Sequence, residues 1–212
     1  MAIYIFYHIY CNSLTLNILK NQIEKIHFSG LYDRVDAIYC FFAGINEYLN
    51  ICKDYTILCG NKFKISSYCY DDKTYERFTL YKIREYIQPD DKFLYIHTKG
   101  ITVTDSTQQT FVENWRTLME YFLLKKHVEC IKLLDNHDTV GVNYRDSPEF
   151  HYSGNFWWTK GSYFLKLPIE IGDKYLDPEM YITKANPNYY NLHSSDIDHY
   201  YSLYTFNNFV DL

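Results

Sequence analysis

Glycine and proline are scarce in this 212-residue sequence, at 8 and 5 residues. Globular proteins average about 7% glycine and 5% proline, so collagen-like repeats and Pro/Gly-rich linkers are excluded. No stretch reaches the ~20 consecutive apolar residues that cross a bilayer. The opening run from Met1 to Tyr7 lacks a basic leader and is soon interrupted by His8, Asn12 and Ser13, so neither a signal peptide nor a membrane span is expected. The six cysteines (Cys11, Cys40, Cys52, Cys59, Cys69, Cys130) form no CxxC pair. Several lie inside apolar runs, where a thiol behaves as a small hydrophobe, so reduced thiols and a cytoplasmic location are expected. Basic residues number 21 against 26 acidic ones, a net charge of −5. No Lys/Arg cluster follows a phosphate backbone, which speaks against a nucleic-acid partner. The GxGxxG and GxxxxGK[ST] phosphate loops, the GxSxG elbow, HExxH and zinc-type Cys/His spacings are also missing, which disfavours dinucleotide dehydrogenases, P-loop enzymes, α/β-hydrolases and zinc enzymes.

What is present is aromatic: 19% of the chain, mostly 24 Tyr and 14 Phe, within a hydrophobic share of 47% and a charged share of 22%. Those shares describe a folded protein with a core of its own, and 1–212 is expected to be a single domain. Nothing at Phe209 to Leu212 signals an end, so it is compatible with the N-terminal part of a longer protein. Each tyrosine offers a flat apolar face with a polar tip, suited to filling a core or to stacking on sugars and bases.

Strand and helix patterns alternate through the first two thirds, the mark of a mostly parallel sheet flanked by helices. Ala2 to Ile9 and Asp36 to Ala43 are continuous apolar runs of the kind buried on both faces. Between them Leu16, Leu19, Ile23 and Ile26 mark one face of a helix. A short helix is expected from Ile45 to Lys53, strands at Tyr55 to Cys59 and Lys64 to Tyr68, and a helix from about Thr74 to Ile87 behind Asp71 and Asp72. Lys92 to His97 reads as a buried strand, Phe111 to Leu134 as a long helix, Thr139 to Tyr144 as a strand, and Asp196 onward as a last helix capped and decorated by Asp196, Asp198 and His199.

Two segments carry candidate chemistry. Tyr95-Ile96-His97-Thr98-Lys99-Gly100 ends a buried strand with His97 and Lys99 on the same side of the chain, two potential cations for a diphosphate. The carboxyl ends of strands in open α/β sheets are where ligands bind; a satisfied histidine and a solvated lysine are the plain alternative. In His151-Tyr152-Ser153-Gly154-Asn155-Phe156-Trp157-Trp158 the adjacent tryptophans point to opposite faces. Both can pack in the core, or one can be left to stack on a sugar ring.

With Asn114-Trp115-Arg116 between them, YIHTKG and GNFWWTKGSYFLKLP resemble glycosyltransferases of the rhamnan-synthesis F type. They are also similar to the nucleotide-sugar glycosyltransferase domains of large DNA viruses, the N-terminal domains of chlorovirus multidomain glycosyltransferases among them. The resemblance covers about residues 93–167 by motif. It implies a GT-A-like nucleotide-binding α/β sandwich that transfers a hexosyl or deoxyhexosyl group, rhamnosyl or glucosyl, from a UDP-sugar to a glycan acceptor, in the host cytoplasm if viral. It places the nucleotide sugar on His8, Tyr10, His97, Lys99 and Asn155, and the acceptor on Tyr152, Trp157 and Trp158. Asp177 and Glu179 are the implied catalytic or sugar-orienting carboxylates. A divalent cation, Mn²⁺, is implied, with Asp71, Asp72 and His193 as its ligands. One departure stands out: His97-Thr98-Lys99 occupies the place of the usual Asp-x-Asp, so Lys99 can neutralise the diphosphate directly while His97 donates a hydrogen bond or holds a metal. Rival readings are a non-catalytic glycan-binding domain and a nucleotide-sugar hydrolase.

Overall fold

A computed structural model describes residues 1–71 and 74–205. The chain opens with β1 (Ile3–Cys11), α1 (Thr15–Phe28), a single turn α2 (Leu31–Arg34), β2 (Ala37–Gly44), α3 (Asn46–Leu58), β3 (Phe63–Cys69) and α4 (Arg77–Ile83). It continues with β4 (Lys92–His97), α5 (Ser106–Glu120), a π-helical turn at Tyr121–Lys125 and α6 (His127–Leu133). The last part holds β5 (Thr139–Gly141), a small hairpin of β6 (Tyr144–Arg145) and β7 (His151–Tyr152), then β8 (Trp157–Lys160), α7 (Gly161–Phe164), α8 (Asp177–Met180) and β9 (Tyr189–Asn191). Seven strands form one sheet in the order β3-β2-β1-β4-β8-β5-β9, all parallel except β8, which runs antiparallel to both β4 and β5.

The apolar runs are strands because both faces of the sheet are covered, and side chains two apart on a strand share a face. Ile5, Tyr7 and Ile9 of β1 join Leu94 and Ile96 of β4 against Leu19, Ile23 and Ile26 of α1 and Leu118 and Met119 of α5. On the opposite face Phe6, Phe41, Phe93, Tyr95 and Trp157 meet Leu80 and Ile83 of α4 and Phe164 of α7. This second layer is a wall of rings, with Phe6 edge-on to Phe93 at 5.0 Å and Tyr95 stacked on Trp157 at 4.9 Å. Much of the aromatic excess is therefore core.

Several sequence expectations are corrected. Tyr55 to Cys59 is no strand: α3 runs through to Leu58, because Leu49, Cys52 and Thr56 bury one helical face and the Thr56 hydroxyl donates back to the Cys52 carbonyl at 2.7 Å. The helix expected over Thr74 to Ile87 shrinks to α4. The helix expected from Phe111 starts earlier, at Ser106 behind an Asp105 cap that accepts from the Gln108 amide, and is broken by the π turn. That turn leaves the Leu123 carbonyl to accept the Trp158 indole N–H at 2.9 Å. The strand expected over Thr139 to Tyr144 splits at Asn143, whose φ of 51° is left-handed. Asp196 to Thr205 is not helical; Asp198 caps a turn at the Tyr200 amide, and His199 is buried against the Trp115 indole. All six cysteines are free thiols. Among the described residues no helix is long and apolar enough to cross a membrane.

Gly161 joins β8 to α7 where the chain touches the turn before β4. A Cβ there would lie 2.0 Å from the Gln88 carbonyl oxygen, which is backbone and cannot swing aside. Gly161→Ala is expected to cost about 1–3 kcal/mol, as overpacking generally does, and to lower Tm by roughly 2–12 °C for a chain of this size. An unchanged melting curve would show that this contact yields freely.

Candidate active site at the switch point of the sheet

From β1 the chain winds outward to β2 and β3, then returns to the other side of β1 to lay down β4. Such a reversal opens a crevice beyond the carboxyl ends of the two central strands. His8 and His97 stand opposite each other in register at this point. The crevice has a volume of about 390 Å³, within the range of small-molecule sites. One bank is the end of β1 and the segment from His97 to Val103; the other is Tyr75 and Glu76 before α4, Asn155, and Tyr175, Leu176, Pro178 and Glu179 around α8.

The β4 end is held from several sides. The Thr98 amide donates to the His8 carbonyl at 3.1 Å, and the Thr98 hydroxyl accepts from the Tyr10 amide at 3.0 Å. Arg116, buried on α5, donates to the Lys99 carbonyl at 2.9 Å. Gly100 has a φ of 90°, and a Cβ there would meet Val112 Cγ1 at 2.7 Å, so this turn requires glycine. The Lys99 ammonium rests 4.2 Å above the Trp115 ring. The Asn114-Trp115-Arg116 segment thus serves the site directly: two of its side chains fix the backbone and the ammonium of Lys99, and Asn114 pairs with the backbone of Tyr204.

His97 is not a cation. Its Nε2 faces the Gly154 carbonyl at 3.0 Å, an acceptor, so Nε2 carries the proton. Burial, with the Lys99 charge second, lowers its pKa to about 3. His8, whose Nδ1 lies 2.8 Å from the Thr79 hydroxyl, is likewise lowered to about 4 by burial. The 3.8 Å approach of His97 Nε2 to the Glu76 carboxylate is accordingly not an ion pair at neutral pH. Glu76 is pushed up, first by burial, and accepts from the Tyr95 hydroxyl at 2.8 Å and from Asn155 Nδ2 at 2.5 Å. Glu179 accepts the Gly154 amide on Oε1 at 2.6 Å. The crevice is therefore lined by the Lys99 ammonium, the Glu179 carboxylate and two neutral imidazoles.

The family model described as "Domain of unknown function (DUF8361)" matches residues 6–200. The chain belongs to this family. No curated protein matches its sequence. Among solved structures, the chain is similar to the 4-diphosphocytidyl-2C-methyl-D-erythritol synthase of Anaerococcus prevotii, with a TM-score of 0.50 and 9% identity over 91% of this chain and 90% of that one. It is also similar to residues 1–349 of S. aureus TarS, with a TM-score of 0.53 and 11% identity over 92% of this chain; it spans 60% of that structure. At such identities the likeness concerns the fold, which is the GT-A-like nucleotide-binding sandwich.

In this DUF8361 chain the tertiary structure gathers His8, Tyr10, His97, Lys99, Asn155 and Glu179 around one crevice. Others lie elsewhere. Tyr152, Trp157 and Trp158 are fully buried, their polar tips bonded to Thr139, Asn155 and Leu123, so none offers a face to an acceptor. Asp177 does not line the crevice; its carboxylate accepts from the Lys174 amide at 2.8 Å. Asp71 is exposed outside the crevice, its carbonyl accepting from Thr74; Asp72 lies outside the described residues. His193 stacks on Phe122 at 4.9 Å, away from the crevice lining. Among the described residues no three His, Cys, Asp or Glu stand close enough to hold a metal ion. The carboxylates at the crevice are engaged by N–H and O–H donors, and an ammonium occupies its rim. The residues described do not fit a protein-held Mn²⁺, and no step below is routed through one.

Sequence reasoning missed Glu76 and the tyrosines of the rim. Glu76 follows an acidic helix start that drew attention to Asp71 and Asp72 instead, and Tyr75, Tyr175 and Tyr200 are indistinguishable among 24 tyrosines.

Both histidines make stability depend on pH. Their folded pKa values lie below the ordinary 6.5, so the unfolded chain binds more protons as pH falls through 6.5. Stability is therefore present above that pH and lost below it, by about 1 kcal/mol for each histidine between pH 6.5 and 5.5. Glu76, raised when folded, acts in the opposite direction, as one group against two. Urea unfolding at the two pH values is expected to show the lower midpoint at pH 5.5; equal midpoints would mean the imidazoles are not buried neutral.

Proposed function

We propose that this chain is a glycosyltransferase that takes a sugar from a nucleoside diphosphate sugar, a UDP-sugar in the first instance, and delivers it to a hydroxyl of a glycan. The observation that supports this most is that Lys99 and Glu179 line one crevice at the switch point, in a fold whose structural neighbours are nucleotide-utilising transferases. The donor's C1–O bond to the β-phosphate breaks and an acceptor O–C1 bond forms. The acceptor proton passes to Glu179, and the nucleoside diphosphate leaves with its electron pair. Negative charge grows on that diphosphate as the bond breaks, and a preorganised ammonium at Lys99 stabilises this state more than the ground state. The neutral imidazole of His97 adds no competing charge of its own.

A thermal-shift series with UDP-, GDP- and dTDP-sugars, with and without Mn²⁺, tests donor binding. A ligand at 100 times its Kd stabilises by about 2.7 kcal/mol, roughly 5–11 °C here. Turnover that requires an acceptor then separates transfer from hydrolysis and from plain glycan binding. Nucleotidyl transfer is a second reading, favoured by the likeness to a diphosphocytidyl-compound synthase across 90% of its length. Release of pyrophosphate from CTP or UTP with a sugar phosphate would establish it in place of the first.

A further inference from the structure

Resting on the transferase reading, we propose that the outer bank of the crevice is the acceptor subsite: Tyr75 and Tyr175 form an aromatic corner against which a pyranose ring of the acceptor lies, with its reacting hydroxyl toward Glu179. The buried tryptophans leave the glycan without the platform expected of them. The rim supplies another. Tyr75 and Tyr175 both line the crevice, are 41% and 66% exposed, and meet edge to face with centroids 5.2 Å apart at 87°.

The corner is built, not incidental. Its rings come from two segments nearly a hundred residues apart, tied together by Arg77. That buried guanidinium donates to the Gly172 carbonyl at 2.5 Å and to the Lys174 carbonyl, and sits 5.7 Å from the Tyr75 ring centroid. Asp177 closes the Tyr175 loop by accepting the Lys174 amide. Tyr75 is held at a φ of 47°, a left-handed conformation that a bulky residue seldom adopts. Two large rings are thereby kept outside the core and presented at the opening.

The chemistry of this bank suits a sugar more than a second nucleotide group. A pyranose has a C–H face that packs on aromatic rings and hydroxyls that donate to carboxylates, and the rings line the same crevice as Glu179. A phosphate would need a cation here, whereas Arg77 is engaged by backbone carbonyls beneath the rings.

Saturation-transfer NMR with methyl α- and β-glycosides of glucose, rhamnose and galactose, in the presence of UDP, reads this subsite without turnover. UDP-glucose thermal shifts read the donor side of the same proteins. The wild type is expected to bind at least one glycoside, Tyr75→Ala and Tyr175→Ala to weaken it roughly tenfold, and Tyr175→Phe to keep it, with donor shifts the same throughout. The proposal is overturned if the wild type binds no glycoside, if the alanine variants bind as well as wild type, or if they lose only the UDP-glucose shift. A wild type that binds glycoside but gives no shift with any nucleotide sugar counts against the transferase reading and leaves the sugar subsite standing.

Discussion

Lys99→Ala is expected to weaken nucleotide-sugar binding by roughly 10- to 150-fold, the equivalent of losing one charge-assisted contact of about 1.5–3 kcal/mol. The backbone at this point does not depend on the side chain. Arg116 holds the Lys99 carbonyl, Thr98 is tied to β1 on both sides, and Gly100 makes the turn. The loss should therefore read as affinity and not as unfolding. Lys99→Met, which keeps an apolar stem over Trp115 while deleting the charge, is the control for packing and should bind as poorly as the alanine variant. Trp115 supplies an independent signal, because a diphosphate that draws the ammonium off its ring alters its emission. The other two tryptophans are fully buried with their indole N–H groups bonded. Quenching or enhancement on adding UDP-glucose is thus expected in the wild type and lost in Trp115→Phe. An undiminished thermal shift in Lys99→Ala would remove the ammonium from the diphosphate site while leaving the fold untouched.

Glu179→Gln is expected to lower kcat by about 10²- to 10⁴-fold, the usual contribution of a positioned general base, with donor affinity nearly unchanged. Glutamine retains an oxygen for the Gly154 amide, so the local structure survives the exchange. Asp177→Asn is the discriminating partner. Asp177 caps its own loop through the Lys174 amide and does not line the crevice, and asparagine can still accept that bond. Acceptor-dependent turnover should therefore collapse in Glu179→Gln and persist in Asp177→Asn. The reverse pattern would transfer the base to Asp177, and equal activity in both would take the proton away from this bank.

The two carboxylates show how far a linear reading reaches. Leu176-Asp177-Pro178-Glu179 presents them as equivalent neighbours in one short turn, and only the path of α8 sends one to the crevice and the other back into its loop. His97 and Lys99 offer the same lesson in charge. Alternation along β4 puts them on one side of the chain, yet burial keeps the His97 imidazole neutral while Lys99 stays at the rim. Two apparent cations become one.

Local pattern was sufficient for β1, β2, β4, α1 and the parallel character of the sheet's centre, because a strand covered on both faces must be apolar throughout and a helix covered on one face must repeat every three or four residues. It was sufficient too for the polar end of β4, since polar residues closing an apolar strand mark its emergence from the core. It failed at Tyr55 to Cys59, where a short run of strand-favouring residues is overruled by the helix that α3 has already begun. It could not reveal Glu76, the Tyr75–Tyr175 corner or the burial of Trp157 and Trp158, for these depend on contacts between segments tens of residues apart. Solvent access and charge state are properties of such contacts, and no periodicity along the chain encodes them.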